Sequence, residues 1–135
     1  MATKVLDSWS LIAFFQGEPS APEVKKILVH AETGRSHLLM TVVNWGEVYY
    51  NIMRRTSQTE AELIAREIAV MPIELVPVET DLELVRQAAR YKASGKLAYA
   101  DAFAAALAKL RNAELITGDP DFKAVDGEIK IGWLK

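Results

Sequence analysis

The chain has 135 residues, half of them hydrophobic and a quarter charged, which suits one domain with a core of its own. A net charge of −2 and a pI near 5.7 exclude a protein that is basic all over, yet leave room for a local basic groove. The absence of cysteine excludes disulfides and thiolate metal sites, and His30 and His37 are too few for a histidine-rich zinc centre.

In chain order, Thr3 to Asp7 reads as a short buried strand, with no leader pattern ahead of it. Ser8 to Gln16 follows as a short helix, closed by Gly17 and Pro19. From Ala21 to about Glu32, Val24, Ile27, Leu28 and Ala31 recur at helical spacing, and Gly34 stops that helix. Leu38 to Val42 is a second buried strand. Val43 to Arg55 is helical, with Val48 and Ile52, and Trp45 with Tyr49, expected in buried pairs. Thr59 to Val70 is another helix, carrying Leu63, Ile64 and Ile68 inward.

Pro72 and Pro77 bracket a short strand, Ile73 to Val76. Asp81 to Ala93 is a helix stopped by Gly95, and Ala100 to Leu110 is an alanine-rich helix able to pack closely. Leu115 to Thr117 and Ile129 to Ile131 are the last strands. Strands alternating with helices over 1–135 predict a single domain, an α/β/α three-layer sandwich around a mainly parallel sheet. No apolar run reaches the ~18 residues of a membrane span, so a cytoplasmic protein with no membrane partner is expected.

Four acidic residues, Asp7, Glu47, Asp101 and Asp119, fall where a strand hands over to a helix or in the first turns of a helix. In an open parallel sheet the carboxyl ends of the strands share one edge, where ligands bind. Carboxylates gathered there repel one another unless protons or a cation neutralise them, and a hard divalent cation with oxygen ligands resolves the conflict. Each acid also has a plainer role open to it. Asp7 and Asp119 suit helix caps, the latter with Pro120 at the first helical position. Glu47 and Asp101 sit where a helix dipole favours negative charge. Asp101, however, stands among Ala98, Tyr99, Ala100, Ala102 and Phe103, where a lone charge is costly to bury. Caps have no need to converge, whereas metal ligands do. Asp121 is a further candidate ligand, accessory to the four. Ser8, Asn44 and Thr117 accompany the acids and suit either ordinary capping or the orientation of carboxylates and water at a metal.

Four segments carry a resemblance to a known family. They are Val5-Leu6-Asp7-Ser8, Val43-Asn44-Trp45-Gly46-Glu47-Val48, Tyr99-Ala100-Asp101-Ala102-Phe103 and Thr117-Gly118-Asp119-Pro120-Asp121-Phe122. In this order and spacing the chain resembles the PIN-domain ribonucleases of the VapC toxin type over essentially its whole length. The resemblance implies an endoribonuclease dependent on Mg²⁺ or Mn²⁺, with Asp7, Glu47, Asp101 and Asp119 as the acidic quartet. Such a cation makes water a better nucleophile toward a backbone phosphorus and offsets charge on the leaving oxygen. Products with a 5′-phosphate and a 3′-hydroxyl are implied as well. So are a homodimer and a small VapB-like antitoxin, whose tail would lie on the early helices and reach the acidic site. Trp9 departs from the family's pattern, where a small residue more usually follows the Asp-Ser pair, and bears on the shape of the adjoining groove.

RNA must also be held near this acidic pocket. Arg54 and Arg55 close the helix bearing Glu47, and Lys92 and Lys96 precede Asp101; either pair suits phosphate contacts or the ordinary charge of a helix end. Two other readings compete. One is a housekeeping RNA-maturation nuclease without antitoxin; the other is a catalytically inactive PIN-like interaction module, against which the complete quartet argues. A phosphoryl-accepting receiver fits poorly, because Asp7 stands alone at the first strand. The Asp-x-Asp phosphatase pattern fails at Trp9.

Overall fold

A computed structural model describes residues 2–135. Five strands, β1 (Ala2–Leu6), β2 (Ser36–Thr41), β3 (Ile73–Val76), β4 (Glu114–Thr117) and β5 (Lys130–Trp133), form one sheet of order β3-β2-β1-β4-β5. Every pairing is parallel. Six helices connect them: α1 (Ser8–Phe15), α2 (Ala21–Glu32), α3 (Val42–Arg55), α4 (Gln58–Ala69), α5 (Glu83–Ala93) and α6 (Tyr99–Leu110), with a 3₁₀ helix at Pro120–Val125. The three-layer arrangement expected from the alternation of strands and helices is the one observed.

The strand side chains alternate between two cores. Val5, Leu39 and Leu115 join α5 and α6 on one face, while Leu6, Leu38, Met40 and Ile116 join α1 to α4 on the other. The inner strands are covered on both faces, which is why they read as unbroken apolar runs. On α6, Ala102, Ala104, Ala105, Ala106 and Ala108 are buried, and their small side chains let α5 and the sheet approach closely. Ala105→Leu is therefore expected to cost about 1–3 kcal/mol by overpacking, read as a lowered urea midpoint at unchanged slope. Among the described residues no helix is long and apolar enough to cross a membrane.

Several boundaries differ from the sequence expectation, each for a local reason. β2 stops at Thr41 rather than Val42, because the Thr41 hydroxyl accepts from the Asn44 amide and caps α3. The β-branched Val42 and Val43 thus begin a helix. α5 starts at Glu83 rather than Asp81, since Leu82 adopts a left-handed conformation (φ 65°) and Asp81 accepts from the Glu83 amide. Leu63 does not face the core; it is 46% exposed, and Ala61, Ile64 and Ile68 form the buried stripe of α4. Trp45 and Tyr49 stack at 5.3 Å but are half-buried, and the Tyr49 hydroxyl donates to Glu62. The helix expected after Asp119 is one 3₁₀ segment, pinned by the buried Phe122 and Val125.

Candidate metal centre

The chain runs outward from β1 through β2 to β3, then returns to place β4 on the other side of β1. The carboxyl ends of β1 and β4 therefore flank the point where the sheet reverses direction, the position of the ligand crevice in open α/β sheets. Asp7 follows β1 directly, and Asp119 lies two residues past the end of β4. Glu47 comes from the second turn of α3 and Asp101 from the first turn of α6. Ser8, Trp9, Glu18, Glu47, Asn51, Arg55, Asp101 and Asp119 border one open cavity of about 370 Å³ at this end of the sheet, with Ile12 and Ala13 beneath.

The acids are not equivalent. Carboxylate oxygens of Asp101, Asp119 and Asp121 lie within 4.8 Å of one another. Asp121, expected to be only accessory, thus belongs to the tightest group. Glu47 borders the same cavity, accepting from the Ser8 hydroxyl and, at 3.4 Å, from the Tyr50 hydroxyl. Asp7 is fully buried and does not border the cavity. One Asp7 oxygen accepts from the Ser10 amide at 2.9 Å and caps α1, while the other accepts from the Thr117 hydroxyl. The capping role and the site position coexist in this one side chain.

Burial pushes the Asp7 carboxyl up to about 7, against the lowering hydrogen bonds from Thr117 and Ser10, with the charge of Asp119 adding a smaller rise. Asp101, 9% exposed, is likewise pushed up to about 7, first by burial and then by the charges of Asp119, Glu47, Asp7 and Asp121. Four other carboxylates thus raise one carboxyl, with no ion pair among the described residues to offset them. Oxygen-only donors gathered around a net negative cavity are the donor set of a hard divalent cation, and the fit is good.

The small polar residues hold this arrangement. Asn44, fully buried, accepts from the Thr41 hydroxyl at 2.6 Å and donates through its amide to the Ala100 carbonyl at 2.9 Å. It ties α3 to the start of α6, and so Glu47 to Asp101. Thr117 donates to Asp7 and accepts from the Asp119 amide at 3.0 Å, linking the residues after β1 and β4. Thr117→Val removes both bonds and is expected to cost about 1–3 kcal/mol, measured by denaturant unfolding.

Of the expected RNA-binding residues, Arg55 borders the cavity and Arg54, Lys92 and Lys96 do not. The Lys92 ammonium donates to the Leu97 carbonyl at 3.1 Å, which secures the turn into α6. Asn51 and Glu18 escaped the sequence reading. Asn51 lies four residues beyond Glu47 on α3, a spacing that could have exposed it. Glu18, in the turn after α1, carries no such signal.

Residues 4–128 match the family model of the PIN domain, and the chain belongs to that family. No curated protein matches the sequence. Solved structures share the fold at low identity. The chain is similar to a DNA-bound VapBC from Salmonella typhimurium, with 14% identity, 98% of each chain covered and a TM-score of 0.74. It is similar to VapBC2 from Rickettsia felis, bound to a fragment of its promoter DNA, with 12% identity, coverage of 98% of this chain and 99% of that one, and a TM-score of 0.73. The VapC20 toxin of Mycobacterium tuberculosis, described as cleaving the sarcin-ricin loop, is also similar, with 17% identity, coverage of 90% and 94%, and a TM-score of 0.69.

Proposed function

We propose that the chain is a Mg²⁺- or Mn²⁺-dependent endoribonuclease and the toxin of a toxin–antitoxin pair. The observation that carries this reading is the acidic cavity at the sheet's switch point, assembled from elements spread over the whole chain. Asp101, Asp119 and Asp121, with Glu47 beside them, would hold the cation, and the buried Asp7 would support it. When bound, the cation supplies a water of lowered pKa and a positive counter-charge for the phosphoryl oxygens.

The chain's own residues do the rest. Ser8 and Tyr50 keep the Glu47 carboxylate directed at the cavity. Thr117 eases ionisation of Asp7, offsetting part of the rise that burial imposes. Among the described residues Arg55 is the single cation bordering the cavity and would contact an RNA phosphate. Arg55→Ala is expected to raise KM and to reduce the slope of log affinity against log salt by about 0.7, the share of one phosphate contact on a single strand. Arg54→Ala, outside the cavity, should change the slope less.

The antitoxin part of the reading draws support from the VapBC complexes among the neighbours and from a furrow of mixed apolar and charged lining. Phe15 of α1, Leu63 and Ile64 of α4 and Val70 just after it border an open furrow that Glu60, Arg66 and Glu67 also line, with Val70 85% exposed. A partner helix laid there would cover this surface, and its tail would bring a Lys or Arg to the carboxylates in place of the cation. Homodimerisation belongs to the same proposal. Purified protein should cut RNA with Mg²⁺ or Mn²⁺ and stop in EDTA; undiminished cutting in EDTA would sink the metal mechanism. Co-purification from the native operon should yield a small partner, and recovery of this chain alone would refute the antitoxin.

A further inference from the structure

Trp9 lies against Gly118 and borders the acidic cavity. A Cβ placed on Gly118 would stand 2.3 Å from Trp9 Cη2, 2.5 Å from Cζ3 and 2.9 Å from Cζ2, distances no real side chain tolerates. Gly118 has no left-handed backbone to explain it. Its lack of a side chain serves instead to seat the indole. Trp9 is also only partly buried and borders the same cavity as Glu47, Asp101 and Asp119. An aromatic ring is thus held on a fixed seat, beside the carboxylates, with part of its surface open.

The surroundings say what such a ring is for. Among the described residues acids outnumber the one cation, Arg55, around this cavity, so a phosphate backbone gains little there from electrostatics. Base stacking needs no charge and brings its own affinity. We propose that Trp9 is a specificity-determining residue, on which a base of single-stranded RNA stacks while the adjoining phosphodiester sits at the carboxylates. This rests on the ribonuclease reading for its substrate. It goes beyond that reading in assigning the base contact to Trp9 and the role of its seat to Gly118. Paired RNA presents no free base face and is disfavoured at such a site.

The test measures cleavage and binding separately. Trp9→Ala should raise KM for a short single-stranded RNA by about tenfold or more with kcat little changed, while Trp9→Phe restores most of the loss. Gly118→Ala should raise KM too, by unseating the indole, yet add nothing in the Trp9→Ala background. An RNA with an abasic site at the stacked position should bind the parent poorly and Trp9→Ala no worse than intact RNA. For binding alone, an Asp101→Asn protein with Trp45→Phe and Trp133→Phe leaves Trp9 as the only indole. Its fluorescence should be quenched by the same RNA and not by the abasic one. A parent that fails to cut RNA while this quenching persists would refute the nuclease reading and leave the stacking site standing. Unchanged KM in Trp9→Ala, or a fall in kcat with loss of the Mn²⁺-induced rise in Tm, would overturn the proposal and mark Trp9 as a packing residue.

Discussion

Asp101→Asn is expected to abolish RNA cleavage while leaving the metal-free protein as stable as the parent, or more stable, at pH 8. The Asp101 carboxyl is nearly buried and faces the charges of Asp119, Glu47, Asp7 and Asp121, so its ionised form is a burden on the fold. Asparagine keeps the shape and removes the charge. A residue kept for stability would behave the opposite way. Asp119→Asn should act alike, because its side-chain oxygen accepts from the Asp121 amide at 2.9 Å and the asparagine amide oxygen can do the same. Thermal melts of the three proteins in EDTA and in Mn²⁺ provide the measurement. Mn²⁺ should raise the Tm of the parent by mass action, and raise it less in either variant. A large loss of metal-free stability in both variants, with no Mn²⁺ effect on the parent, would mean that these acids are helix caps and nothing more.

The second large effect is a pH dependence of the metal-free protein. Asp7 and Asp101 are each pushed up to about 7 in the fold, against 3.8 for the ordinary carboxyl. Below 3.8 both states hold the proton and stability is independent of these groups. Between there and about 7 the unfolded chain releases protons that the folded chain retains, so stability falls as pH rises. Both groups contribute to this loss across that window, and it is complete once the folded carboxyls ionise. In EDTA, urea midpoints should therefore fall from pH 4.5 to pH 7.5. A divalent cation competes with those protons, so saturating Mn²⁺ should flatten or reverse the trend, with binding tightening as pH rises. A metal-free protein that grows more stable over this range would show that the carboxyls are already neutralised by other groups.

Both predictions depend on features of very different legibility in the sequence. The elements were legible because they rest on neighbours within one turn. Helical spacing in α2, glycine at the end of α2 and α5, and the alanine run of α6 each signal locally, and the structure places those elements as expected. Boundaries slipped where a single side chain outweighed propensity, as where Thr41 caps α3 and makes Val42 helical. Leu63 slipped because α2, α3 and α4 share one core, and which flank of α4 meets it depends on how that helix is rolled.

The residues of the candidate site and the sheet edge expected to carry them were legible in the sequence, but their arrangement there was not. Asp7, Glu47, Asp101 and Asp119 stood out because strand-to-helix junctions and an apolar setting make a carboxylate conspicuous. Their grouping depends on the strand order β3-β2-β1-β4-β5, which sets the end of β4 beside the end of β1. The ranking within the site was decided by tertiary packing alone. It brings Asp121 into the closest trio, buries Asp7 away from the cavity lining, and leaves Lys92 bound to a turn. The seat of Trp9 on Gly118 belongs to this second kind, since the two residues come from opposite ends of the chain. Local sequence determines which segments can be strands, helices and caps, because those choices are settled by hydrogen bonds a few residues apart. Which carboxylate is buried, which meets a cation and which aromatic ring borders them is decided by burial and close contact between distant segments, and these exist only once the sheet is assembled.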